Sequence, residues 1–261
     1  MFHWFRQTVK GNARLKRLAL WAAHVASPLS DLVKLSAISR YAKFVREWRK
    51  FRHTGGEASV LDWYPCLNDC IPTTQIDTHY FYQAIWAFKK IAAANPKDHV
   101  DVGSDVRYVG MLTAITNVTF VDIRPLELNL ERYEGKRGSV LALPYDDHSI
   151  VSLSCLSVAE HVGLGRYGDS IDPGGTVKAC RELTRVLAKG GSLYFGLPIG
   201  KRRVCFNAHR IVQPDDVLEF FKDLQLEEFS AVDDAGHFVL HANMNDFMAS
   251  EFANGLYHFR K

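Results

Sequence analysis

No stretch of the sequence is apolar over the roughly 20 residues that a membrane-spanning helix needs. The N-terminal run Leu18–Ala26 is about half that length. Basic residues precede it and small residues surround Ser27, as in a secretory leader, but His24 interrupts the run. Cysteine is scarce and odd in number: Cys66, Cys70, Cys155, Cys180 and Cys205. Five cysteines cannot form a fully paired disulfide framework, and they read as reduced thiols of a cytoplasmic protein. Cys66 and Cys70 stand in a C-x3-C spacing with no second pair nearby, which is a poor start for a zinc site. Short-period repeats are absent, which argues against solenoids and propellers. Acid is almost missing from residues 1–53, where 12 Lys/Arg face 2 Asp/Glu, a balance of +10. The remaining 208 residues carry 20 Lys/Arg and 27 Asp/Glu, a balance of −7. An acidic main body argues against nucleic acid as a partner. The basic arm suits a protein partner or the anionic inner face of a membrane.

What is present is enough for one sizeable core with an added arm, in a chain of 261 residues with 47% hydrophobic content. The spacing predicts arm helices over 8–26 and 30–52. In the second, Leu32, Leu35, Ile38 and Tyr41 recur at helical intervals, and Arg40, Lys43, Arg46, Arg49 and Lys50 supply a basic face. His53-Thr54-Gly55-Gly56 reads as a linker. The expected organisation is an arm over 1–56 and a main domain over 57–261.

Residues 57–78 read as irregular, with Pro65 and Pro72, and Tyr80–Asn95 as a helix ended by Pro96. From there the pattern alternates strand and helix, the mark of a parallel sheet covered on both faces. Strands are expected at His99–Gly103, Val118–Ile123, Ser139–Leu143, Ile150–Leu156 and Ser192–Leu197. Helices are expected at Thr176–Ala188, closed by Lys189-Gly190-Gly191, and at Pro214–Leu224. Leu226–Val232 and Gly255–Arg260 read as two last strands able to pair antiparallel at a sheet edge.

Chemistry concentrates where strands end. In His99-Val-Asp101-Val-Gly103-Ser-Asp105 a buried strand stops at a carboxylate and a glycine before turning into a helix. Such a turn places a helix N-terminus beside the crevice at the carboxyl edge of the sheet. Some nineteen residues on, Asp122 ends the second strand, where a carboxylate can accept from both hydroxyls of a ribose.

These segments resemble the class I S-adenosylmethionine-dependent methyltransferase superfamily over roughly residues 98–261. Asp101-Val-Gly103-Ser matches the start of its D-x-G-x-G-x-G motif. Leu143-Pro-Tyr-Asp-Asp147 resembles the stretch after its third strand. Glu182-Leu-Thr-Arg185-Val-Leu-Ala-Lys-Gly-Gly191 is similar to its E-L-x-R-V-L-K-P-G-G segment. The resemblance implies an α/β, Rossmann-like fold with a mostly parallel seven-stranded sheet and an antiparallel edge. Ser154–Asp169, Ile171-Asp172-Pro173, Pro198–Lys201 and Phe206–Arg210 look like a little-studied methyltransferase-like family of unassigned activity, some of whose bacterial members lie among genes for surface polysaccharides.

The superfamily implies S-adenosylmethionine as cofactor, S-adenosylhomocysteine as product, and Asp101, Gly103, Ser104, Asp105, Asp122 and Ile123 around them. Two departures stand out. Asp105 and Arg107 replace the second and third motif glycines, and Ser139 stands where many relatives place an acidic residue. Asp105 and Arg107 either meet the cofactor's amino-acid end or seal the pocket. Glu160, His161 and His209 are the candidate catalytic residues, with either histidine able to act as a general base on a sugar hydroxyl. The alternative gives Glu160 and His161 a structural role. A second reading is a divalent metal held by Glu160, His161 and His209, as in methyltransferases with an E-x-x-E-H segment, but Ser157 occupies the first acidic position and no metal site is assigned. Arg166, Tyr167, Asn207 and Arg210 are the candidate substrate-binding residues, and Lys201, Arg202 and Arg203 add charge for an anionic acceptor. The leading expectation is methylation of an oxygen on a sugar or surface-glycan intermediate. The competing one is a degenerate fold that acts as a binding or scaffolding protein.

Overall fold

The computed structural model describes residues 35–261. The expected helix over 8–26 and Leu32 lie outside the described residues. The chain divides into two units, with the break after Gln75.

In the described part of the first unit, α1 (Leu35–His53) carries the expected basic face, with Lys43, Arg46, Arg49 and Lys50 exposed. Glu47 is its one acid, 3.7 Å from Lys43. Trp63 packs edge-on against Phe44 and Trp48, with ring centroids 5.3 and 5.1 Å away. Apart from a short 3-10 turn at Val60–Asp62, the stretch up to Asp77 is irregular, as its prolines predict.

The second unit opens with α2 (Thr78–Ala94), whose N-cap Asp77 accepts from the Tyr80 amide. Asn95 ends it in the left-handed conformation just ahead of Pro96. The strands are β1 (Asp98–Val102), β2 (Asn117–Asp122), β3 (Tyr133–Arg137), β4 (Ile150–Leu156), β5 (Leu187–Ile199), β8 (Gln225–Val232), β9 (Phe238–Val239) and β10 (Ala253–Arg260), with a separate hairpin of β6 (Arg203–Cys205) and β7 (His209–Ile211). The helices that follow α2 are α3 (Val106–Leu112), α4 (Gly175–Val186) and α5 (Pro214–Phe220).

The eight-stranded sheet runs β3-β2-β1-β4-β5-β10-β8-β9. Its first five strands are parallel, and β10 lies antiparallel between β5 and β8. The order reverses between β1 and β4, so a crevice opens at the carboxyl ends of β1, β2 and β4. Apolar clusters cover both faces. Trp86, Ala87 and Ile91 of α2 join Tyr108, Val109 and Leu112 of α3 on one side. Ala179, Leu183 and Val186 of α4 join Val217 of α5 on the other. Leu183 is fully buried, and truncating such a side chain costs about 2–5 kcal/mol.

Four sequence expectations need correction. The third strand is Tyr133–Arg137, not Ser139–Leu143. It is a polar edge strand, so no hydrophobic run marks it. Ser139–Leu143 is a turn closed by the Ala142 amide on the Ser139 carbonyl, and its buried Val140 and Leu143 imitate a strand's pattern. The helix before β5 ends at Val186, and Leu187 is already extended. Gly190 is left-handed as expected (φ +73°), but it serves a bulge where the β4–β5 register jumps. The helix begun at Pro214 stops at Phe220, short of Leu224.

Candidate active site

The sites of Asp101 and Asp122 differ sharply although their strands are neighbours. Asp101 is completely buried. Its carboxylate accepts from the Ser104 amide at 3.0 Å, from the Ser104 hydroxyl at 2.7 Å, and from the Ser154 hydroxyl. Ser104 Oγ in turn accepts from the Leu156 amide at 3.0 Å. His99 extends this chain, with both ring nitrogens 2.8 Å from the hydroxyls of Ser152 and Ser154. Burial raises Asp101 to about 6 against those hydrogen bonds, and burial lowers His99 to about 3. Asp101 and Ser104 thus tie the β1–α3 loop to β4 and do not line the cleft.

Asp105 caps α3 by accepting from the Arg107 amide, and pairs with the Arg107 guanidinium at 3.1 Å. The Arg107 side chain is exposed and holds the Asp105 carboxyl below its usual range. Neither residue lines the cleft.

A solvent-open cleft of ≈ 150 Å³ lies at this edge of the sheet. Val102 and Gly103 form its floor. Asp122, Ile123 and Arg124 form one rim, Gly138–Leu141 a second, and Ser157, Val158 and His161 a third. Gly103 is left-handed (φ +69°), and a Cβ there would stand 3.2 Å from Val158 and 3.4 Å from Asp122 Oδ2. Asp122 Oδ1 accepts from the Arg124 amide at 2.6 Å.

The E-L-x-R segment acts from behind this site. Glu182 accepts from the Leu143 amide at 2.6 Å and pairs with Arg185 at 2.7 Å. Arg185 donates to the carbonyls of Leu143 and Tyr145 and reaches Asp147 at 2.6 Å. These bonds fix the turn whose residues 138–141 wall the cleft.

At the end of β4, Ser157 is left-handed (φ 58°) and donates to Gln83 of α2 at 2.9 Å. The chain then enters a 3-10 turn, Ala159–His161, and the loop 162–174. Gly163, Gly165 and Gly168 are all left-handed, and a Cβ at Gly163 would strike the Asp172 carbonyl at 2.1 Å. Asp169 gathers the loop, accepting from the amides of Gly163, Gly165 and Tyr167. Burial alone would raise its carboxyl, but these bonds hold it below the usual range.

His161 Nδ1 lies 2.6 Å from the Ala208 carbonyl. A carbonyl only accepts, so Nδ1 carries the hydrogen and Nε2 keeps its lone pair. Glu160 Oε1 is 3.6 Å from Nε2, while Oε2 is buried and without a hydrogen-bond partner. Burial lifts Glu160 to about 8, so it is largely protonated at pH 7. Burial lowers His161, and the Arg166 charge adds to that. His209 does not line the cleft. Burial, with His161, Arg203, Arg166 and His79 nearby, lowers it to about 4, and its ring stands 4.9 Å from that of Phe252.

Of the candidate substrate-binding residues, Tyr167 lines the cleft, under Arg124 and Arg166 at 4.7 and 5.1 Å from its ring centre. Arg210 is buried and donates to the carbonyls of Val162 and Asp172, so it holds the loop instead of facing solvent. Asn207 is exposed on the β6–β7 turn. Lys201 and Arg203 pair with Glu251, and Arg202 with Asp216. The sequence offered no signal for Tyr80 of α2, whose hydroxyl is raised by burial and by Glu160 and Tyr167 nearby. Arg124 had one weak signal, its place two residues after the strand-end Asp122. Among the described residues, no group of three or more His, Cys, Asp and Glu stands ready for a metal ion. No helix among them is long and apolar enough to cross a membrane.

The strand order and the cleft at the carboxyl ends of β1, β2 and β4 define the class I methyltransferase fold, and solved structures share it. A candidate sarcosine dimethylglycine methyltransferase from Galdieria sulphuraria superposes with a TM-score of 0.52 at 16% identity, over 81% of this chain and 96% of that one. A chain of the complex between the Haloferax volcanii Trm112 methyltransferase activator and its candidate methyltransferase gives 0.51 at 15%, over 70% and 89%. The (4+2)-cyclase SpnF gives 0.50 at 14%, over 70% and 80%. Residues 145–222 match a family described as "Caenorhabditis protein of unknown function, DUF268". No curated protein sequence matches the chain.

Proposed function

We propose that this protein is an S-adenosylmethionine-dependent methyltransferase that methylates an oxygen of a sugar or glycan intermediate. The observation that carries the cofactor assignment is Asp122. It is a cleft-facing carboxylate at the end of β2, 3.4 Å from where a Gly103 Cβ would stand. An acceptor-only group there fits a ribose diol, and Val121, Ile123, Val140 and Leu141 fit a flat apolar base. Such a cofactor supplies, when bound, a methyl carbon made electrophilic by a sulfonium sulfur.

The chain's own residues do the rest. His161 is held by the Ala208 carbonyl with Nε2 unprotonated, so it accepts the hydrogen of the acceptor hydroxyl. Protonated Glu160 adds no negative charge beside it. His209, lowered to about 4 and off the cleft, is the poorer base. Gly103 and the turn 138–141 bring the reacting groups into line, where most of the rate gain of a displacement reaction arises.

Titration calorimetry of the full chain with S-adenosylhomocysteine is the test, and micromolar binding is expected. No binding to the folded protein would remove the enzyme reading in favour of a scaffold. Once an acceptor is found, His161→Ala should lower turnover by about 10²–10⁴-fold with S-adenosylhomocysteine affinity little changed. His209→Ala should lower it far less, and equal losses would refute the choice of base.

A further inference from the structure

Five arginines and a lysine crowd the loops around the cleft, and most are already satisfied. Lys201 and Arg203 have Glu251, Arg202 has Asp216, and buried Arg210 has carbonyls. Two remain with spare capacity at the mouth. Arg124 rises from the end of β2, and Arg166 from the glycine-rich loop. Both guanidiniums stand over the single ring of Tyr167, at 4.7 and 5.1 Å from its centre.

The local carboxylates do not neutralise this pair. Asp169 is committed to three backbone amides. Asp122 takes the Arg124 amide at 2.6 Å and meets its Nε only at 4.0 Å. Arg166 has no carboxylate partner among the described residues, and its Nη1 donates to the Ala208 carbonyl at 3.2 Å. Its charge adds to the burial that lowers His161 and His209, and opposes the burial that raises Glu160. A guanidinium stacked on a ring keeps its in-plane N–H groups free to donate. Both forks are thus held about 5 Å from the centre of one exposed ring.

We infer that Arg124 and Arg166, stacked on Tyr167 over the mouth of the cleft, form a clamp for a phosphate group, and that the acceptor is therefore phosphorylated. This rests on the methyltransferase reading for the word acceptor, not for the anion site itself. A planar carboxylate satisfies one fork in its plane. A phosphate offers oxygens in several directions and can satisfy two forks at once. The phosphate can belong to a sugar phosphate, a nucleotide-linked sugar or a lipid-linked sugar, which share this chemistry.

The experiment is titration of the full chain with inorganic pyrophosphate and with inorganic phosphate at physiological salt, followed by calorimetry. Saturable binding is expected, weakened about tenfold or more by Arg124→Gln and by Arg166→Gln. Arg202→Gln, whose side chain is paired with Asp216, should leave it unchanged. Both clamp arginines are exposed, so the variants should fold, as thermal melts can verify. S-adenosylhomocysteine affinity should stay within about threefold in Arg166→Gln, because Arg166, unlike Arg124, does not line the cofactor cleft. Absence of saturable pyrophosphate binding, or equal binding by all three variants, overturns the clamp. So does a matching loss of S-adenosylhomocysteine affinity, which would make the arginines cofactor ligands. Arginine-dependent pyrophosphate binding by a chain that ignores S-adenosylhomocysteine would support the clamp and refute the methyltransferase reading. Competition by a nucleotide sugar, a sugar 1-phosphate or a polyprenyl phosphate in detergent then separates the sources.

Discussion

Asp101 and Asp122 end neighbouring parallel strands, and each precedes a turn at the same edge of the sheet. One is sealed beneath three hydrogen bonds from Ser104 and Ser154. The other faces a cleft, with one oxygen committed to the Arg124 amide. The difference lies in the residues just past each strand. After β1, Ser104 folds back and covers the carboxylate. After β2, Ile123 and Arg124 lead outward and leave it facing the cleft. An acidic residue near a strand end is therefore sealed or open to the cleft according to the two residues that follow its strand.

Three substitutions sharpen that contrast, and the first should have the largest effect. Asp101→Ala leaves buried Ser104 and Ser154 donors without an acceptor, which costs about 3 kcal/mol or more. The melting temperature should fall by about 6–12 °C, as calorimetry would read, while the folded fraction still binds S-adenosylhomocysteine. Asp122→Ala should do the reverse, lowering that affinity about 100-fold, or about 2.7 kcal/mol, with the melting temperature nearly unchanged. If both variants lose stability equally, the contrast is false.

The third and smallest effect concerns Glu160, buried like Asp101 but with one oxygen unpartnered. Its pKa rises from an ordinary 4.5 to about 8 in the fold. The folded state therefore holds a proton that the unfolded chain releases, so stability is greatest below about pH 4.5 and declines as pH climbs towards 8. Glu160→Gln removes that decline. Its melting temperature should exceed the wild type's by about 4–8 °C at pH 6 and converge with it at pH 4. A constant gap across that range would mean the carboxyl is charged throughout.

Much of the core was legible because β1, β2, β4 and β5 each carry buried apolar residues and end in a turn signal. Gly103, Asp122, His161 and Tyr167 were legible for a related reason: they sit inside local motifs whose spacing fixes their place at one edge. Edge strand β3 was not, because Tyr-Glu-Gly-Lys-Arg buries too little to leave a pattern. The arginines were the hardest to sort. Nothing around Arg210 in sequence says that its partners are the carbonyls of Val162 and Asp172, and nothing beside Arg203 announces Glu251. Spatial partners some 40 residues away decide whether a cation is spent or spare. Gln83 and Tyr80 reach the site from α2, which precedes every motif and carries no motif of its own.

The position of β10 has a consequence for how the protein is made. This strand comes last among the described residues, yet it lies between β5 and β8 and fills both of their ladders. During synthesis β1 to β5 can pair as they emerge, but the edge of β5 stays open until residues 253–260 leave the ribosome. For that interval a long apolar strand presents unpaired amides and carbonyls, the kind of edge that other chains can add to. Soluble yield is therefore expected to fall with substitutions within 253–260 that weaken this pairing.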